Sequence, residues 1–250
     1  MPAQPGSSAN LPRPDQPVFV IGDVHGRLDL LERILEKIDA VIGAREMSDP
    51  MLVFVGDLVD RGPASAGVLA RVHELTTEFP DNVACLLGNH EQMMLDFLEA
   101  PVARQARWLR SGGVETCESF GLTVPQDPGL VDHAENLARD LRAALGEDLV
   151  HWMHRLPLQV RSGTLYLVHA AVDPGRPLED QSARVLVWGH PEFLKHARSD
   201  GFWIAHGHTV LDDPVCADGR ISVDTGAWKT GCLTSAVILP SGEVDFLQTV

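Results

Sequence analysis

Positive charge is scarce in this chain of 250 residues: Lys and Arg number 20 against 35 Asp and Glu, a formal net charge of -15. The basic residues form no run, which excludes binding that neutralises a row of nucleic-acid phosphates. A phosphorylated substrate would be repelled at long range, so a site for one needs concentrated local positive charge, which metal ions supply. Cysteine is sparse as well. Cys85, Cys117, Cys216 and Cys232 are widely spaced with no C-x-x-C pair. Neither a disulfide framework nor a thiolate zinc site is expected, and the thiols should be reduced and mostly buried. Also missing are an internal repeat, an apolar run long enough to cross a bilayer and, over residues 1–16, the basic-then-apolar order of a signal peptide. The expectation is a flexible tail over 1–16 and a cytoplasmic chain with no nucleic-acid or membrane partner.

What is present suffices for one large core: 44% of the residues are hydrophobic, and residues 17–250 are expected to form a single domain. Pro17–Ile21 suits a strand buried on both faces and ends in Gly22-Asp23-Val24-His25-Gly26. Asp23 and His25 stand two apart, so in extended backbone both side chains share one side. Leu28, Leu31, Leu35, Ile38 and Ile42 then recur at helical spacing. A strand through Val53–Val55, expected at the centre of the sheet, delivers Gly56-Asp57-Leu58-Val59-Asp60-Arg61-Gly62. A helix through Val68, Leu69, Val72 and Leu75 follows, and a third strand, Val83–Leu87, ends in Gly88-Asn89-His90-Glu91. Residues 102–156 read as helical, broken at Gly112-Gly113 and over 125–129, and are expected to cap the site. His133, His151 and His154 within them read as surface or packing histidines. The last third carries hairpin signals at Ser162-Gly163, Asp218-Gly219 and Ser241-Gly242, which predict a mixed or antiparallel second sheet. Two of its strands end in His169-Ala170-Ala171 and His206-Gly207-His208-Thr209.

Open α/β sheets place ligands at the carboxyl ends of their strands. There the chain offers Asp23, His25, Asp57, Asn89, His169 and His208, an oxygen and nitrogen set without sulfur. Six such ligands suit two divalent ions about 3.5–4 Å apart that share one carboxylate, and Asp57, between the others, is the natural bridge. His206, two residues before His208, is an alternative ligand. Asp224, before Thr225-Gly226, reads as a turn carboxylate.

Taken in order, these motifs, together with Asp224-Thr225-Gly226-Ala227, resemble those of the calcineurin-like metallophosphoesterases, and within them the phosphoprotein phosphatases of bacterial and phage type. The resemblance runs from Val18 to about Leu247. It implies an α/β fold, a two-sheet β-sandwich flanked by helices, with a dimetal site at the strand ends. It also implies a first ion on Asp23, His25 and Asp57 and a second on Asp57, Asn89, His169 and His208. Manganese is the expected metal, with iron or zinc as alternatives, since such a donor set discriminates weakly. His90 would donate a proton to the leaving group, Asp60 would orient and charge-stabilise it, and Arg61 would hold phosphate oxygens; Asn89 and His90, adjacent in an extended turn, would face metal and leaving oxygen respectively.

The activity so implied is phosphomonoester hydrolysis by a hydroxide bridging the ions, with phosphoserine or phosphothreonine in proteins as substrate. A symmetrical bis(5'-nucleosyl)-tetraphosphate hydrolase shares the motifs and is the alternative. Asp60 and Gly207-His208-Thr209 look more like the protein phosphatases. A metal-binding regulatory module without catalysis is a third reading. The chain departs from the family at Trp188-Gly189-His190, where bacterial relatives commonly carry a phosphate-gripping arginine at the His190 position. Either His190 takes that place, with a charge that a histidine ordinarily loses near neutral pH, or Arg176 does.

Overall fold

The computed structural model describes residues 11–124 and 131–250. The first strand, β1 (Val18–Ile21), is buried at all four positions, and its period-two alternation sorts the side chains. Phe19 and Ile21 join an apolar cluster with Leu31 and Ile34 of α1 (Leu28–Ala44) and with Val68 and Leu69 further along. Val18 and Val20 join a second cluster with Leu165, Leu167, Trp203 and Ala205. One strand thus packs against helices on one face and another sheet on the other. That is why it reads as a continuous apolar run.

The chain continues as β2 (Met51–Phe54), α2 (Ser65–Glu78) and β3 (Val83–Cys85), with β1, β2 and β3 parallel neighbours. The helical stretch is α3 (Asn89–Glu99), α4 (Pro101–Trp108), α5 (Val114–Ser119), α6 (Val131–Leu145) and α7 (Glu147–His154). Between α4 and α5 the backbone kinks at Gly112, whose φ of 113° a side chain would resist. Then come β4 (Gln159–Ser162), β5 (Leu165–Val168), α8 (Ala183–Trp188), β6 (Trp203–His206), β7 (Val215–Ala217) and β8 (Arg220–Ser222). The described chain closes with α9 (Ala227–Thr230), β9 (Thr234–Ile238) and β10 (Val244–Gln248).

Two five-stranded sheets result, in the orders β10-β9-β1-β2-β3 and β4-β5-β6-β8-β7, and both are mixed. They form the expected two-sheet sandwich flanked by helices. Two local expectations are corrected. β1, not β2, is the middle strand of its sheet, because the β9–β10 hairpin at Ser241-Gly242 pairs with β1, Val18 opposite Ile238. That hairpin therefore extends the first sheet and not the second. The thiols divide: Cys85 and Cys117 are buried, Cys232 is half-buried and Cys216 is exposed, all of them free.

Of the expected tail, residues 1–10 lie outside the described residues, as does the break expected over 125–129. Residues 11–16 run beside the β4–β5 turn, where Arg13 and Asp15 donate backbone N–H groups to Thr164 and Ser162. No helix among the described residues is long and apolar enough to cross a membrane.

Candidate dimetal centre

β1, β2 and β3 run parallel to one another, as do β5 and β6, and residues that follow their carboxyl ends meet: His169, after β5, stands 3.5 Å from Asp57, after β2, and 3.0 Å from Asn89, after β3. Five of the eight non-glycine residues with positive φ among the described residues lie in these strand-end turns: His25, Asp57, Asp60, Arg61 and His208. Such φ values cost free energy for residues with a Cβ, so surrounding contacts must hold them. Glu91 is one such contact. Its buried carboxylate accepts from the N–H groups of Asp57 and Leu58 at 2.8 Å each, Val59 at 3.2 Å and Gly88 at 3.0 Å. Gly88 permits the approach, for a Cβ there would stand 2.2 Å from the Asp57 nitrogen. Burial, reinforced by Asp57, pushes the Glu91 carboxyl up to about 7.

Two groups of donors share Asp57. His25, Asp57 and His90 offer atoms within 4.8 Å of one another, and so do Asp57, His169 and His208. The Oδ2 of Asp57 lies 3.6 Å from His25 Nε2, and its Oδ1 lies 3.5 Å from His169 Nε2. Asn89 belongs with the second group, its Oδ1 being 3.0 Å from His169 Nε2 and 2.7 Å from His208 Nδ1. Asp23 is held beside them by the His208 N–H, at 3.1 and 3.2 Å.

The donor chemistry fits cations. His169 commits its Nδ1–H to the Val55 carbonyl and His25 commits its own to the Val59 carbonyl. In the neutral rings each Nε2 therefore turns a lone pair inward. His169 Nε2 then faces two acceptor oxygens, those of Asn89 and Asp57, with no proton between them. That arrangement is repulsive unless a cation sits among the acceptors.

Electrostatics agree. Burial, only partly opposed by Asp57, lowers His25 to about 3 and His208 to about 4, which leaves both rings neutral at pH 7. Burial would raise Asp57, but His169, His90 and His25 outweigh it and keep its carboxyl well below the usual range. Asp23 is pushed well up by burial, Asp224 and Asp57, a crowding of carboxylates that ions would relieve.

Beside the first group, His90 Nδ1 lies 2.6 Å from Asp60 Oδ2. Asp60 is held in turn by Trp108 Nε1 at 3.1 Å and the Thr116 hydroxyl at 2.8 Å, both reaching its Oδ1. Burial lowers the affinity of His90 for a proton, but Asp57 and then Asp60 outweigh it and the pKa is raised. Arg61 donates to Nε2 of both His25 and His90 at 3.1 Å, and its guanidinium stands 5.1 Å from the Trp228 ring centroid. Asn89 and His90 occupy the first turn of α3, not the extended turn expected for them.

Residues 16–222 match the calcineurin-like phosphoesterase family. The chain belongs to that family. Serine/threonine-protein phosphatase 1 of Salmonella typhimurium is 29% identical over 232 residues, 88% of this chain and 91% of that one. The symmetrical bis(5'-nucleosyl)-tetraphosphatase of Legionella pneumophila is 32% identical over 160 residues, 63% of this chain, and the chain spans 45% of that enzyme's length. Among solved structures, a provisionally assigned diadenosine tetraphosphatase aligns with a TM-score of 0.63 at 20% identity, over 95% of this chain and 96% of that one, a likeness of fold.

Of the other expected residues, His206 and Arg176 stand apart from the centre, whereas Asp224 is near enough to raise Asp23 and His190 follows Gly189, which faces the His208 ring. His206 points into the core: its Nδ1 donates to the Gly207 carbonyl and its Nε2 meets the Ser222 hydroxyl at 2.8 Å. The two-residue spacing to His208 does not align them, because His208 leaves the extended region with φ 63°. Asp224 accepts from the Gly226 N–H at 2.9 Å, a turn carboxylate as expected. His190 Nε2 lies 3.8 Å from Asp173. The exposed Arg176 guanidinium pairs with Asp173 and Asp180, and lines a separate cleft with Arg198 and Phe202. His151 and His154 are exposed on α7.

The neutral buried histidines imply acid lability of this phosphoesterase without metal. Burial lowers His206 to about 4, so the unfolded chain takes up a proton near pH 6.5 that the folded chain refuses until about pH 4. Stability from such a group is full above about pH 6.5 and is lost as pH falls towards 4, up to about 3 kcal/mol per group. The chelated protein should melt at progressively lower temperature from pH 6.5 to 4.5, with a shallower slope for His206→Gln. An unchanged melting temperature over that range in the wild type would refute this.

Proposed function

We propose that the chain is a metal-dependent phosphomonoester hydrolase acting on phosphoserine or phosphothreonine in proteins, with manganese in the centre. The observation that carries this reading is Asp57, whose two carboxylate oxygens serve two separate donor groups, with His90 poised beside one of them. Asp23, His25 and Asp57 would hold one ion, and Asp57, Asn89, His169 and His208 the other. When bound, the ions supply Lewis acidity to the phosphoryl oxygens and lower the pKa of water. Arg61, now donating to two imidazoles, would turn to the phosphate oxygens and leave His90 Nε2 free to carry a proton. Asp60 keeps His90 in the tautomer and orientation from which that proton reaches the leaving oxygen. The exposed face of Trp228 gives the guanidinium a resting surface in either position.

The phosphoprotein reading is supported by similarity to the Salmonella phosphatase along nearly the whole of both chains. The Legionella likeness supports the dinucleotide alternative over a shorter stretch. Turnover of a phosphoserine peptide should exceed that of diadenosine tetraphosphate in manganese. Preferential cleavage of the dinucleotide would transfer the assignment.

Phosphate grip outside Arg61 falls to His190 on this reading. The preceding residue, Gly189, abuts the His208 ring, whereas Arg176 is turned to Asp173 and Asp180. His190→Ala should raise KM about three- to tenfold and His190→Arg lower it, while Arg176→Ala stays within about twofold. A larger effect at Arg176 would assign the grip there.

A further inference from the structure

A groove of about 660 Å³ opens between α3, α4 and α8, lined among others by Gln92, Asp96, Arg107, Arg184, Val187 and Trp188. Two features tie it to the centre. Gln92 lies one turn beyond Asn89 on the same face of α3, about 4.5 Å along its axis. Trp188 immediately precedes Gly189, where a Cβ would lie 3.9 Å from His208 Nε2.

The charge of the groove runs against that of the chain. Arginines elsewhere are spent on carboxylates, as at Arg27, Arg45, Arg71, Arg139 and Arg198. Arg107 and Arg184 have no carboxylate partner among the described residues. Arg107 instead lies 4.3 Å from the Trp188 ring centroid. Arg104, one turn earlier on the same face of α4, is exposed and has no carboxylate partner among the described residues either. The one carboxylate in the groove, Asp96, accepts from Gln92 Nε2 at 2.8 Å. Two guanidinium groups, with Arg104 a turn away, thus face one carboxylate in this groove of a chain whose net charge is -15.

We propose that this groove is a docking subsite for acidic residues flanking the phosphorylated residue of a peptide substrate. The inference rests on the reading of the centre as a protein phosphatase. A peptide with its phosphate at Asn89 and His208 would leave along α3 towards Arg107 and Arg184. At about 3.4 Å per extended residue, carboxylates two to four positions from the phosphoserine reach them. Arginine suits this role because its planar fork pairs with a carboxylate by two parallel hydrogen bonds. Docking of this kind also offsets the repulsion that an acidic peptide meets at long range from the rest of the surface.

The experiment compares kcat/KM for two phosphoserine peptides that differ only in Glu or Gln at positions two to four on either side, with p-nitrophenyl phosphate as reference for the chemistry. The wild type should prefer the acidic peptide about five- to twentyfold, a preference that shrinks with added salt. Arg107→Ser with Arg184→Ser should remove the preference, and Arg184→Glu alone, which leaves the Trp188 contact intact, should reverse it. Equal turnover of both peptides by the wild type, or a preference that survives in the double variant, overturns the docking proposal while the phosphatase reading stands. Hydrolysis of p-nitrophenyl phosphate with neither peptide turned over overturns both. A groove variant that impairs diadenosine tetraphosphate hydrolysis and leaves the peptide ratio unchanged would assign the groove to a polyphosphate and also overturn the proposal.

Discussion

Asp57→Asn is expected to abolish phosphoester hydrolysis, by more than about a thousandfold in kcat/KM, and to remove at least one of two bound ions. The carboxylate is 2% exposed and stands 3.6 Å from His25 Nε2 through one oxygen and 3.5 Å from His169 Nε2 through the other. Asparagine keeps the shape but offers one acceptor in place of two and turns an NH2 group towards the remaining ligand set. It also removes the negative charge that a pair of divalent ions shares. Substitution by Asn tests the site without disturbing the turn. Asp57 has φ 51°, a region that Asn tolerates better than most residues. The His90 N–H that now donates to Asp57 Oδ1 at 2.9 Å can still find the amide oxygen. Metal content measured on the purified variant, beside its turnover of p-nitrophenyl phosphate, decides the matter. A variant that keeps two tightly bound ions would show that Asp57 is not the bridge.

The centre was legible in the sequence because its members follow short apolar strands directly. A strand that ends in glycine and a carboxylate announces itself locally, as at Gly22-Asp23 and Gly56-Asp57, and the parallel pairing of β1, β2 and β3 follows from helices at 28–42 and 68–75. The geometry inside the turns was not legible. The extended spacing of Asp23 and His25 fails, since β1 ends at Ile21 and His25 has φ 44°, and the donor group that holds His25 and Asp57 is completed by His90 and not by Asp23. Nothing in a single residue's identity announces a positive φ that is imposed by contacts such as those of Glu91. Long-range partners leave no periodic mark either. Thr116 and Trp108 reach Asp60 across 56 and 48 residues, and β9 reaches β1 across most of the chain. The stretch over 102–156 read as helices that cap the site, but its buried polar threonine and tryptophan N–H could be assigned partners only once the fold had brought Asp60 to them. The same holds for the docking groove, whose arginines come from α4 and α8.

His90→Asn is expected to lower kcat by about a hundredfold or more while leaving two ions bound, since a positioned general acid contributes about 10² to 10⁴. The structure makes this test sharper, because His90 Nε2 lies within reach of the same cation as His25 and Asp57 and could serve as a ligand. Two features favour the acid. His90 is the only imidazole of the centre paired with a carboxylate at hydrogen-bond distance among the described residues, 2.6 Å to Asp60. Its affinity for a proton is raised by Asp57 and Asp60 against the opposing effect of burial, whereas burial lowers His25 and His208. A residue that must be protonated to act loses activity as pH rises through its pKa, so the wild-type kcat should fall on the alkaline side. In His90→Asn that alkaline fall should disappear, because the group that titrates is gone. The variant should also lose less activity on activated esters than on poor ones: p-nitrophenolate leaves with little help from a proton, whereas a serine alkoxide needs one. The loss should therefore be several-fold larger for phosphoserine peptide than for p-nitrophenyl phosphate. A His90→Asn protein that loses an ion in step with activity, and suffers equally on both esters, would make His90 a metal ligand and leave the proton donor to be sought elsewhere.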